Sequence, residues 1–218
     1  MPQTVQISSC VVPSFTILYK DEDAYLQTES ALAKLLANGR GNYLLQQINN
    51  LTTNGRSLKI VADKNTTNIT TPRLTRYQMA RLNINPDDQN LMRTAAHELC
   101  KKPGRHLKNE GTSATVYFNP MKSTFVDHRG TPRRESNTDH NQFDLAHELI
   151  HAKRIMKGNY QGGDMRNFDP VDKPLQALEE YRAIGVGPYG ERFITENTIR
   201  QSSGLTARKY ITVIEEGR

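Results

Sequence analysis

The chain is poor in the features that mark small secreted domains and membrane proteins. Only two cysteines, Cys10 and Cys100, occur in its 218 residues. Two thiols cannot build a disulfide framework, and Cys10 lies in a polar leader with nothing to staple, so both read as free thiols in a reducing compartment. No run approaches the roughly 18 consecutive apolar residues that a spanning helix needs. The first residues also lack the basic, apolar and small-residue succession of a cleavable signal peptide. Membrane residence and general secretory export are therefore not expected. Internal repeats and low-complexity tracts are absent as well.

What is present suits a single domain. Hydrophobic residues make up 36% and charged residues 24%, with a mean hydropathy of −0.69. That is polar for a globular protein, yet enough for a modest core. Lys and Arg number 29 against 23 Asp and Glu, a net charge of +6 that favours an acidic partner. The basic residues are scattered and no aromatic-interleaved stripe accompanies them, so nucleic acid is not expected as a partner.

Residues 1–14, with Ser8 and Ser9 among Gln and Thr, show no sustained period and read as a flexible leader before one domain over 15–218. Tyr25, Leu32, Leu35 and Leu36 share a helical face, which predicts a helix over 22–37 stopped by Gly39 and Gly41. A second helical run covers 43–51, and Leu58-Lys-Ile-Val61 reads as a strand after an Asn54-Gly55 turn. The Thr- and Asn-rich stretch 65–72 reads as a loop, and Asn85-Pro-Asp-Asp88 opens a helix that runs to about Lys102. Thr112–Phe118 reads as a strand, and Pro120 just beyond it points to a sheet edge. The polar stretch 122–141 suits a mobile surface loop. Helices are predicted over 143–157 and 174–184, separated by a Gly-rich loop.

The chemistry is concentrated in His147-Glu148-Leu149-Ile150-His151. A four-residue spacing puts both imidazoles on one helix face about a turn apart, so two ligands of one metal can come from one rigid element. Neutral imidazole suits Zn²⁺. Glu148, one step round the helix, is then placed as general base toward a water without ligating the metal itself. A near copy stands at Ala96-His97-Glu98-Leu99, but position 101 is Lys. With no second imidazole, His97 and Glu98 read as ordinary helix residues.

Catalytic zinc usually has three protein ligands, and Glu179-Glu180 on the downstream helix offers an acidic third. Glu180 is the expected ligand, because Ala177, Ala183 and Ile184 mark an inward apolar face beside it. Glu179 is the runner-up, and Asp164, Asp169 and Asp172 are further candidates. Tyr160, Tyr181, Tyr189 and His140 are candidates for stabilising an oxyanion, and the sequence does not choose among them.

These segments, Thr112–Pro120, Ala146–Ala152 and Glu179–Gly185, resemble the NleD-like zinc metallopeptidases injected by bacterial type III secretion systems, with HopH-like effectors of plant pathogens as the nearest members. The resemblance covers Gly111–Gly187. It implies a zincin-type, gluzincin-like α+β fold and one Zn²⁺ per chain on His147, His151 and a Glu of the 179–180 pair. It also implies catalysis by Glu148 and delivery by type III secretion into the host cytoplasm. The leader with Ser8 and Ser9 fits the export signal such delivery requires. The family further implies cleavage of a host signalling protein, a mitogen-activated protein kinase. No motif before Gly111 matches, so that half can set a different specificity.

The expectation is thus a monomeric zinc endopeptidase of α+β class, with the 112–118 strand at the sheet edge beside the active-site helix and free to pair with an extended substrate. The alternative is a host-protein-binding effector whose metal site is structural or inactive. A third reading is zinc-dependent hydrolysis of a small amide.

Overall fold

Alternate residues of two extended segments, Phe15 and Ile17 on one and Leu58, Ile60 and Ala62 on the other, are buried on one side of a sheet. That period of two is the signature of strands with one face on the core. The computed structural model describes residues 3–52, 55–104, 107–162 and 173–215. Its strands in chain order are β1 (Val5–Ser8), β2 (Phe15–Tyr19), β3 (Leu58–Ala62), β4 (Ile69–Arg73), β5 (Ser113–Phe118), β6 (Ser123–Val126) and β7 (Pro132–Glu135). The α-helices are α1 (Glu22–Ala37), α2 (Gly39–Thr52), α3 (Arg76–Arg81), α4 (Gln89–Cys100), α5 (Asn141–Met156), α6 (Lys173–Ile184) and α7 (Glu196–Ser202). The class is mixed α and β.

The main sheet has the order β1-β2-β3-β5-β4, with β2, β3 and β5 parallel and the two outer strands antiparallel to their neighbours. Helices α1 and α2 form the β2–β3 crossover and join α5 on the core face, where Leu32, Leu35, Leu44 and Ile48 meet Leu145, Leu149 and Ile155. α5 is the central element: thirteen of its residues are buried, and it touches β4, β5, β6, α1, α2, α6 and α7. Its C-terminal end is fixed by a close backbone approach. A Cβ on Gly111 would fall 2.2 Å from the Met156 carbonyl oxygen, and one on Gly158 2.1 Å from that of Asn109. Both glycines have positive φ, so only glycine allows this join between the entry to β5 and the end of α5.

Four expectations need correction. The expected leader is ordered from Val5: β1 pairs with β2, and Glu29 of α1 accepts hydrogen bonds from the Ser9 hydroxyl and the Cys10 backbone N–H, both at 2.8 Å. The expected loop 65–72 contains β4. Thr70 and Thr71 are β-branched, and Pro72 is tolerated because β4 is an outer strand. β5 is consequently interior, between β3 and β4, and the 112–118 strand is not the edge. The expected mobile loop 122–141 holds the β6–β7 hairpin, tied to α5 where Arg134 donates to Asp144 at 3.2 Å and to the Thr124 hydroxyl at 2.9 Å. No helix is long and apolar enough to cross a membrane among the described residues.

Candidate metal centre

The histidines of α5 converge as their spacing requires. His147 Nε2 and His151 Nε2 are 3.1 Å apart, with both rings almost wholly buried. Glu180 of α6 lies across from them, its Oε2 3.0 Å from His147 Nε2 and its Oε1 3.2 Å from His151 Nε2. One ligand atom from each of the three residues falls within 4.8 Å of the others.

Glu179 turns away. It is 1% exposed and its carboxylate meets Arg154 Nε and, at 3.3 Å, Arg182. Its Oε1 is 4.0 Å from His151 Nδ1, beyond hydrogen-bond reach. Successive helix residues differ by about 100°, which is why adjacent glutamates serve different partners. Asp164, Asp169 and Asp172 lie outside the described residues.

The donor set fits a divalent cation. Glu196 of α7 sits 3.0 Å from His147 Nδ1, a contact that makes Nδ1 the protonated nitrogen and leaves a lone pair on Nε2. That lone pair then faces a carboxylate and a second imidazole nitrogen, an arrangement of acceptors that needs a positive charge between them. The surrounding acids favour positive charge at this point: although burial opposes charge on His147, Glu180 and Glu196 raise its pKa well above the ordinary imidazole value, so a bound cation would take the place of the Nε2 proton. Burial would raise the pKa of Glu180, but His147 and His151 hold its carboxyl well below the usual range. Two imidazoles and a carboxylate are donor types that zinc takes.

Glu148 is buried beside the pair. Burial lifts its pKa above the usual range, against the pull of His147 and His151. The Thr70 hydroxyl of β4 donates to Glu148 Oε2 at 2.8 Å and lies 3.0 Å from the Glu148 carbonyl oxygen, so it fixes the carboxylate to the outer strand. His147, Glu148 and Glu180 open onto a cavity of about 200 Å³ that Thr124, Asp144 and Arg208 also line.

Behind the histidines lies a buried ion network. Glu196 receives Arg200 Nε at 2.8 Å and an Arg208 terminal nitrogen at 3.2 Å, and Arg200 also donates to the Thr124 carbonyl at 2.9 Å. Burial would raise the pKa of Glu196, but Arg208 and Arg200 hold it far below the ordinary value.

The oxyanion candidates fare differently. Tyr160 is buried 6.2 Å, ring to ring, from His151, whereas Tyr181 is 39% exposed. Tyr189 accepts from Arg182, and His140 stands at the start of α5 against Phe125 and Phe143. None of the four lines the cavity beside Glu148. His97 and Glu98 lie on α4, away from that cavity.

Sequence reasoning missed Thr70, Glu196, Arg200 and Arg208. The one local signal was at Thr195–Arg200, where a Thr195/Thr198 capping box and a Glu196–Arg200 pair at i, i+4 mark a short helix.

Comparisons with known proteins add the following. The family model described as peptidase M91, effector protein, matches residues 15–210. No curated protein matches the chain. The catalytic domain of Clostridium botulinum neurotoxin serotype F aligns with 83% of this chain and 47% of its own, at 16% identity and a TM-score of 0.42. The light chain of the same serotype aligns with 83% of this chain and 49% of its own, at 16% identity and a TM-score of 0.43. The chain therefore spans about half the length of these two structures.

Proposed function

The chain belongs to the peptidase M91 family of effector proteins, and from that premise we propose that it is a zinc endopeptidase of one domain that cleaves a host protein. The observation that carries the reading is the convergence of His147, His151 and Glu180 beside the buried carboxylate of Glu148, at a cavity rather than in a closed core. A closed four-ligand site would suit a structural metal; this one leaves room for a reactant.

His147, His151 and Glu180 would hold Zn²⁺, which supplies Lewis acidity toward a peptide carbonyl and a water. Thr70 occupies one oxygen of Glu148, which leaves Oε1 to take a proton from the attacking water and return it to the departing amine. Arg208 lines the same cavity and presents positive charge to the oxygen that becomes anionic. Glu196 holds His147 in the tautomer that offers Nε2.

The outer strand β4 replaces β5 as the platform for an extended substrate. It pairs on one side with β5, and its Thr70 reaches the base, so a peptide laid antiparallel along its other side brings a backbone carbonyl to Glu148. The NleD-like resemblance extends this reading to delivery by type III secretion and to a mitogen-activated protein kinase as substrate.

The test compares new protein N-termini by mass spectrometry in host lysate treated with wild type and with Glu148→Ala, alongside zinc content. One zinc in both proteins, with new N-termini only for wild type, is the expected result. A metal-free wild type, or equal cleavage by both, overturns the assignment.

A further inference from the structure

On the sheet face opposite α5, the pocket above the N-terminal ends of β3 and β5 gathers cations without a matching acid. Arg56, Lys59, Arg73 and Arg76 line a cavity of about 530 Å³ together with the hydroxyl-bearing Ser57 and Ser113. The one carboxylate among its described residues, Glu110, already accepts from Gln78 at 3.0 Å and pairs with Arg81. Arg56 donates to the Glu110 backbone carbonyl and Arg73 to the Ser57 hydroxyl. Arg73 Nε is buried with no hydrogen-bond partner. Lys59 feels burial first and then repulsion from Arg73 and Arg76, and all three push its pKa below the usual lysine value. Like charges brought this close cost free energy unless an anion joins them.

The pocket shares Arg73 with the strand proposed as the substrate platform. Arg73 ends β4, three residues beyond Thr70, or about 10 Å along a strand. A substrate running antiparallel to β4 has its upstream residues at the Arg73 end. We propose that this pocket binds an oxyanionic side chain of the protein substrate, carboxylate or phosphoryl, about three residues before the cleaved bond. The inference rests on the endopeptidase reading for its position and on the pocket alone for its chemistry. Three guanidinium groups, an ammonium and two hydroxyls suit such an oxyanion, since bidentate arginine contacts are the strong ones.

The experiment measures binding of four fluorescent decapeptides of one alanine-rich sequence that carry at one position glutamate, phosphoserine, glutamine or serine. Wild type is used with zinc and after chelation, with inorganic phosphate and an RNA decamer as competitors. The two acidic peptides should bind roughly tenfold or more tightly than the neutral ones, equally with and without zinc. The ratio of glutamate to phosphoserine binding tells which anion the pocket takes. Lys59→Gln/Arg76→Gln should erase the preference while keeping the melting temperature, and Lys59→Arg should retain it. Arg76→Glu, at an exposed position, provides a second variant that folds. In a peptide library, wild type but not the double variant should prefer acids about three residues before the cut.

Equal binding of acidic and neutral peptides, an unchanged double variant, phosphate binding without peptide binding, or RNA binding tighter than peptide and lost in the same variants would each overturn the pocket. Acid-selective binding in a chain that holds no zinc would leave the pocket standing and remove the peptidase reading instead.

Discussion

Ala-His-Glu-Leu occurs twice in this chain, at 96–99 in α4 and at 146–149 in α5. In α4 the buried residues are Ala96 and Cys100, and Glu98 is exposed. In α5 all four are buried, and helices α6 and α7 bring Glu180 and Glu196 to opposite nitrogens of His147. One turn later α4 has Lys101 where α5 has His151. The same four residues are an ordinary helix segment in α4 and part of the candidate metal site in α5. The motif provides the spacing of the two imidazoles, and the elements packed around it bring a carboxylate to them and bury the group.

The sharpest way to break this comparison is to delete the first histidine of each copy. His147→Ala should abolish zinc binding and proteolysis, and His97→Ala should leave zinc at one per chain with cleavage near wild type. Elemental analysis and peptide cleavage read both. Zinc loss in the α4 variant would mean the two copies act together.

A smaller separation is expected between the adjacent glutamates. Glu180→Gln should lose zinc with little change in the melting of the metal-free chain. Glu179→Gln should keep zinc but lower stability by about 3 kcal/mol, because two partly buried arginines lose their shared acid. Chelator competition and denaturant unfolding distinguish them, and the reverse pattern would exchange their roles.

A modest effect should report how α4 is seated. Burial pushes the Cys100 thiol up to about 12. Between the unfolded thiol value, near 9, and that value the folded chain keeps a proton that the unfolded chain has released, so stability falls as pH rises through this window. Cys100→Ala should lose less stability than wild type between pH 9 and 11, and parallel curves would contradict the burial.

The smallest expected effect is none. Lys101→His completes the two-histidine spacing in α4 and should not add a second zinc, since Lys101 and Glu98 are both exposed, whereas His147, Glu148 and His151 are buried. Uptake of a second equivalent would show that spacing alone suffices.

The site was legible wherever its geometry is local. His147, Glu148 and His151 lie within one helical turn of one another, and Glu180 was marked by the apolar stripe ending in Ala183 and Ile184. Thr70 and Arg208 reach the site by tertiary contact, and no window around either residue carries a period that points there. β4 was hidden because Asn, Thr and Pro are also turn formers, and only its outer place in the sheet reconciles Pro72 with a strand. The β6–β7 hairpin was hidden by its four-residue strands and charged composition.

The origins of the pocket's parts have a temporal consequence. Thr70, the His147–His151 turn, Glu180, Glu196 and Arg208 are spread along most of the sequence, and contacts such as Asn38 with Ser202 tie α1 to the end of α7. Such long-range closures form late, after the loop entropy between them has been overcome. A chain emerging from a ribosome has its two histidines before the carboxylates and arginines that orient them. Hydrolytic competence is therefore a signal that folding has finished, and an incompletely folded copy is poorly equipped to cut its neighbours.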